Sequence, residues 1–207
     1  MRLDLQDDEV ASLGAGGFIL RDAVLGEARA QAIAAAAAAL PGYRAAGVSR
    51  AGLREPAIRG DELVWLDDDA PPPLSDLIHG FAAVGRELDA AAYLGLGRVD
   101  IQIARYPGGG ARYERHRDAF RGPVPDGGSR VVTAIYYLNA GWRPEDGGVL
   151  RLHLAGGPVD VEPRLDRLAI FLSALVEHEV LPAHTPRLAA TGWFYRRSAL
   201  PGLPSGP

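Results

Sequence analysis

The chain has 207 residues, 47% of them apolar and 23% charged, a balance that fits a soluble globular protein long enough to bury a real core. A net charge of −4 argues against nucleic-acid binding through bulk charge, and the absence of cysteine excludes disulfides, thiolate metal sites and cysteine nucleophiles. Any metal must rest on carboxylates and on five histidines: His79, His116, His153, His178 and His184.

The acidic opening MRLDLQDDEV lacks the basic and apolar regions of a secretory signal, and the Ala-rich run at 32–40 is too short to cross a bilayer. A cytoplasmic protein without membrane attachment is therefore expected. GFILRD (17–22) reads as a short strand, after which Asp22 is placed to cap a helix over 23–40, stopped by Pro41-Gly42. Residues 43–60 read as loop, DELVWLDD (61–68) as a short strand and APPPLS (70–75) as a break. A second helix is predicted over 74–94, with Leu77, Phe81, Val84, Leu88 and Ala91 on one face. Beyond Gly97 the texture becomes that of strands: RVDIQIARY, RVVTAIYYLN, GGVLRLHL, RLAIFLS and LAATGWFYRR, each bounded by Gly, Pro or Asp. Strands this dense behind two helices predict an α+β fold, an antiparallel barrel or jelly roll braced by N-terminal helices. One domain over 1–207 is expected, with support in 1–97, core in 98–197 and a frayed tail in 198–207.

The chemistry concentrates in RYPGGGARYERHRDAF (105–120). His-x-Asp alone is a weak signal, because a charged strand end has the same look. In a strand, however, residues i and i+2 share a face, so His116 and Asp118 can converge on one ion. His178, after the strand RLAIFLS, supplies a third ligand, and two histidines with one carboxylate form the facial triad of non-haem Fe(II) oxygenases. His184 is the rival for that third place. Arg187 shares a predicted strand face with Ala189, Thr191 and Trp193, and an arginine at the end of an apolar interior needs an anion to pair with. A metal with open positions beside such an arginine suits 2-oxoglutarate. In VVTAIYYLN, Thr133, Ile135 and Tyr137 lie on one face, and the Tyr137 hydroxyl can share the far carboxylate of 2-oxoglutarate; Tyr106 and Tyr113 bracket the glycine loop near the metal end.

IRGDELVWLD (58–67), ARYPGGGARYERHRD (104–118), RVVTAIYYLN, GGVLRLHL, VEPRLDRLAIFLS (161–173), EHEVLPA (177–183) and RLAATGWFY (187–195) occur in that order. Together they resemble the prolyl hydroxylase branch of the 2-oxoglutarate/Fe(II) dioxygenases, and within it the animal oxygen-sensing prolyl hydroxylases and their bacterial relatives. The resemblance implies a double-stranded β-helix (jelly-roll) core. It implies His116, Asp118 and His178 as iron ligands, and Arg187 with Tyr137 on the far carboxylate of 2-oxoglutarate. Tyr106 falls near the chelating end of the cosubstrate, with Thr191 and Trp193 lining the pocket. Asp61 and Arg130 match a charge pair at the substrate mouth, beside Tyr113. Fe(II), 2-oxoglutarate and O2 are the implied cofactors and cosubstrates, with ascorbate a candidate reductant. A protein substrate with a loop proline is the implied partner, elongation factor Tu being the first candidate. The segment AFRGPVPDGGS (119–129) is longer than in the animal pattern, which separates substrate preference from the animal enzymes.

Other functions compete. Hydroxylation of a free amino acid or small peptide needs the same site under a tighter lid. Nucleic-acid demethylation of the AlkB type calls for a second arginine six residues after the first, where this chain has Trp193. A non-catalytic β-barrel that binds a partner has no need of three intact ligands and Arg187. Glu177 and Glu179 flank His178 as candidate supporting partners, the arginines at 112, 115, 117 and 121 form a charged rim, and His153 reads as a paired barrel histidine.

Overall fold

A computed structural model describes residues 1–47, 58–119 and 128–197. Most of the loops expected at 43–60 and 119–129, and the tail at 198–207, lie outside the described residues. The elements in chain order are α1 (Asp7–Gly14), β1 (Phe18–Asp22), α2 (Glu27–Ala39), β2 (Arg44–Ala45), β3 (Glu62–Leu66), α3 (Ser75–Ala92), β4 (Leu96–Tyr106), β5 (Ala111–His116), β6 (Arg130–Tyr137), β7 (Leu150–Leu154), β8 (Gly157–Val161), β9 (Arg167–Leu172), β10 (Glu177–Ala183) and β11 (Arg187–Arg196). They build two antiparallel sheets, one of seven strands ordered β1-β9-β6-β11-β4-β3-β2 and one of four ordered β5-β10-β7-β8. This is the expected jelly roll with helices against it.

The strands of the larger sheet are apolar on both faces, and period-2 alternation sorts their side chains. Ile101, Ile103, Val132, Ala134, Tyr136, Leu168 and Ile170 face the helices, where they join Ile33, Leu77, Phe81, Val84 and Leu88. Their neighbours Ala104, Tyr106, Ile135, Tyr137, Ala169 and Phe171 face the smaller sheet and join Leu150, Leu152 and Val180. A strand buried on both sides loses polar/apolar alternation, which is why RVVTAIYY is nearly continuous in apolar residues. Helix α3 sits very close to β11: a Cβ on Gly85 or Gly192 would stand 2.7 Å from the ring of Phe194 or Phe81. The smaller sheet instead carries ion pairs on its strands, Arg115 with Glu177 and Arg151 with Asp160.

Several local expectations are corrected. Asp22 does not cap α2; its carboxylate pairs with Arg167, at 2.6 Å. The backbone N–H groups of Leu25 and Gly26 donate instead to the buried carboxylate of Asp166, at 2.9 and 2.8 Å, and the helix starts only at Glu27. Asp166 also accepts from the Tyr136 hydroxyl at 2.8 Å, so a residue 140 positions away ties the helix entrance to β6. Helix α1, unexpected in an acidic terminus, has only eight residues and buries only Leu13. His178 follows the strand RLAIFL, as expected, and lies within a further strand, β10. Among the described residues, no helix is long and apolar enough to cross a membrane.

Candidate active site

The cleft between the sheets opens along one face of β11. Alternation turns Arg187, Ala189, Thr191 and Trp193 into it, as expected. The register of β4 sets Tyr106 beside Arg187, Ala104 beside Ala189 and Gln102 beside Thr191, while β6 sets Tyr137 beside Ala189.

At one end stand His116, Asp118 and His178. The two histidines are direct cross-strand partners in the β5–β10 ladder, with ring centroids 4.3 Å apart. Asp118 lies two residues past the end of β5, in a bend, so strand alternation does not place it as the sequence implied. His116 Nε2 is 3.7 Å from one Asp118 carboxylate oxygen and His178 Nε2 is 3.6 Å from the other, and all three ligand atoms lie within 4.8 Å of one another. The opposite ring nitrogen, Nδ1, lies 2.7 Å from the Glu114 carbonyl in His116 and 3.4 Å from the Val176 carbonyl in His178. A proton on Nδ1 can be donated to each carbonyl, which leaves Nε2 with its lone pair turned to the cleft. Tyr113 stacks on the His116 ring at 3.7 Å.

Burial pushes His178 down to about 4, against the pull of Asp118, so its imidazole is neutral and able to ligate at pH 7. Burial alone would raise the Asp118 carboxyl, but His178 and His116 outweigh it and hold the group well below the usual carboxylate range. Two imidazoles around a carboxylate are a donor set for a divalent cation with open positions. His184 is exposed and takes no part in this cluster, and His153 pairs with Glu179 at 2.9 Å. Glu177 binds Arg115, so the two glutamates flanking His178 turn to other strands.

At the other end Arg187 is 4% exposed, and among the described residues no carboxylate lies within ion-pairing distance of it. Its Nε donates to the Gly148 carbonyl at 2.7 Å, and the guanidinium carbon lies 4.9 Å from the Tyr106 ring centre and 5.4 Å from that of Tyr137. The Tyr137 hydroxyl and the Trp193 indole N–H are buried without a hydrogen-bond partner. Burial raises Tyr137 to about 12, with Arg187 pulling against it. A buried cation and a buried hydroxyl, both short of partners, fit a carboxylate ligand.

At the mouth, Asp61 is fully engaged with Arg59, at 2.7 and 3.0 Å, and the Arg59 guanidinium lies 4.5 Å over Tyr113. Arg130 lies 3.9 Å over the Trp193 ring, and its Nη1 is 4.0 Å from Asp118. Arg59, Gln102, Thr133 and Ser173 are parts of the site's surroundings that sequence reasoning missed. Gln102 was findable, since it shares the β4 alternation of Ala104 and Tyr106, and Arg59 stands two residues before Asp61. Of the rim arginines, Arg112 pairs with Glu114, while Arg115 and Arg117 share Glu177; Arg121 lies outside the described residues.

Residues 101–195 match the model of the 2OG-Fe(II) oxygenase superfamily. Egl nine homolog 1 of Homo sapiens is 37% identical over 152 residues, 67% of this chain and 33% of that protein, so the chain spans about a third of that relative's length. Among solved structures, a prolyl-4-hydroxylase from Pseudomonas putida has a TM-score of 0.80 at 36% identity, over 91% of this chain and 98% of that one. A prolyl hydroxylase from Trichoplax adhaerens, in complex with a hypoxia inducible factor oxygen degradation domain peptide fragment, has a TM-score of 0.76 at 28% identity, over 91% and 88% of the two chains.

Proposed function

The chain belongs to the prolyl hydroxylase family of the 2OG-Fe(II) oxygenases, and on that premise we propose that it hydroxylates a prolyl residue of a protein substrate, converting 2-oxoglutarate and O2 to succinate and CO2. The observation that carries this is the pairing within one cleft of a His-Asp-His donor cluster and a buried arginine without a carboxylate partner. Both features are complete in this chain, and neither serves a purely structural barrel.

In this reading His116, Asp118 and His178 hold Fe(II), which when bound supplies the oxygen chemistry. The chain's own residues bind, orient and exclude water. Arg187 takes the far carboxylate of 2-oxoglutarate, its fork aimed by the Gly148 carbonyl and its charge shared with the Tyr137 hydroxyl. Tyr106, Thr191 and Trp193 form walls along the cosubstrate, and the apolar faces of Ala104, Ile135, Leu150 and Ala189 keep the cleft dry. The substrate proline enters at the mouth, where Asp61, Arg130 and Tyr113 lie. Elongation factor Tu is the first candidate substrate and ascorbate the candidate reductant. A cytoplasmic location goes with that substrate, and no nucleic acid is part of the reading.

The test is succinate release by Fe(II)-loaded protein with 2-oxoglutarate, with and without elongation factor Tu and a panel of proline-containing proteins, followed by mass spectrometry. A gain of one oxygen atom on a partner's proline is the expected result. Succinate without any modified protein would turn the reading to a free amino acid or small peptide. Neither metal binding nor turnover would leave a binding protein.

A further inference from the structure

Asp118 stands beyond the end of β5, so no ladder bond of that strand holds it beside His116. Its supports come from β6 and from the end of β9. The Thr133 hydroxyl donates to Asp118 Oδ2 at 2.8 Å, and the same hydroxyl lies 2.8 Å from Ser173 Oγ. A second tether runs through the backbone: the Ala119 N–H donates to the Ser173 carbonyl at 3.2 Å, and the Ser173 N–H donates to Val131 at 3.0 Å. Thr133 and Ser173 are fully buried, so water does not compete for these bonds.

The proton order follows from the inventory of each group. An ionised carboxylate only accepts, so the single Thr133 proton goes to Oδ2. Thr133 then accepts from Ser173, whose proton completes a chain running in one direction. Oδ2, which accepts from Thr133 on the β6 side, lies 3.6 Å from His178 Nε2, and Oδ1 lies 3.7 Å from His116 Nε2, so the Thr133 bond fixes how the carboxylate meets both histidines.

We infer that Thr133 and Ser173 are positioning residues that fix the orientation of the Asp118 carboxylate between His116 and His178, a role that rests on the reading of this cluster as the iron site. Neither touches the ion or the cosubstrate. Thr133 holds Oδ2 and with it the plane of the carboxylate; Ser173 orients the Thr133 hydroxyl and pins the bend after Asp118.

The experiment titrates the full chain, freed of metal, with Co(II) and records its visible absorption before and after 2-oxoglutarate. The wild type is expected to bind one equivalent and His178→Ala to lose it; a wild type that binds none sinks the site reading itself, and this inference with it. Thr133→Val, nearly the same shape without the hydroxyl, is expected to weaken Co(II) binding about 10–100-fold and to blunt the spectral response to 2-oxoglutarate. Thr133→Ser restores both. Ser173→Ala weakens binding less, about threefold. Wild-type affinity and spectrum in Thr133→Val, alongside a loss in His178→Ala, would overturn the inference while leaving the iron site standing. If Thr133→Val does not fold, as read by circular dichroism, Ser173→Ala decides: unchanged affinity and spectrum overturn the inference in the same way.

Discussion

The two ends of the cleft are assembled by different means. At the Arg187 end one strand places most of what matters: alternation along β11 turns Arg187, Ala189, Thr191 and Trp193 inward, and the ladder adds Tyr106 and Tyr137 beside them. At the His116 end two segments contribute: β5 with the bend after it gives His116 and Asp118, and β10 gives His178. Cross-strand pairing of β5 with β10 supplies two, and buried hydroxyl and backbone bonds supply the third. Residues that share a strand are positioned by local geometry, whereas residues from separate segments depend on long-range register.

The sharpest way to break this contrast is at the metal end. His116→Ala, Asp118→Ala and His178→Ala are each expected to abolish turnover, since two ligands do not hold Fe(II) in the working geometry; succinate release and bound iron measure it. At the other end Arg187→Ala is expected to spare metal binding but weaken 2-oxoglutarate binding. The loss of one buried charge pair costs about 2–5 kcal/mol, and titration of the cosubstrate into the metal-loaded protein checks it. Unchanged 2-oxoglutarate affinity would remove Arg187 from its role.

A smaller effect is expected at Gly148→Ala. The added Cβ would stand 2.7 Å from Arg187 Cδ, in a backbone at φ +70° that disfavours side chains. The Michaelis constant for 2-oxoglutarate should rise about tenfold, an effect of one ill-placed hydrogen bond on a charged group, with Co(II) affinity unchanged.

The metal end also has a pH signature in the metal-free protein. His178 is held at about 4 when folded, below its ordinary value of about 6.5. The unfolded chain therefore binds a proton that the folded chain refuses between those values. The stability is fully present above pH 6.5 and is lost as pH falls towards 4; thermal melts across that window check it, and His178→Asn should flatten the slope. The smallest effect on activity is expected from Asp166→Ala, whose carboxylate turns to the α2 entrance and away from the cleft lining. It strips the Leu25 and Gly26 N–H groups and the Tyr136 hydroxyl of their partner, so about 2–4 kcal/mol of stability is lost with catalysis intact. A chemical denaturation curve measures it.

The helix α3, with Leu77, Phe81, Val84 and Leu88 at helical spacing, and the long strands β4, β6 and β11 were legible from pattern alone. So was the inward face of β11. Strands β5, β8 and β10 were harder, because they belong to a sheet with a charged side: ARYERH and EHEVLPA carry too few apolar residues to stand out as strands. The entrance to α2 was misread for a related reason. Asp22 has the chemistry of a cap and the right neighbourhood, but Arg167 on the adjacent strand claims it, and Asp166 takes its place.

The sequence by itself determined the donor types, the period-2 face that carries Arg187 and the absence of thiolate chemistry, because these depend on composition and on geometry within one strand. Tertiary structure decided that His116 and His178 meet as cross-strand partners, that His184 stays outside, and that Asp118 is brought to them from a bend. Those outcomes depend on which strands pair and in what register, and on buried partners such as Thr133 and Ser173 that lie 15 and 55 positions from Asp118 in the chain. Register is set by the summed burial of two sheets, so no short stretch of residues contains it.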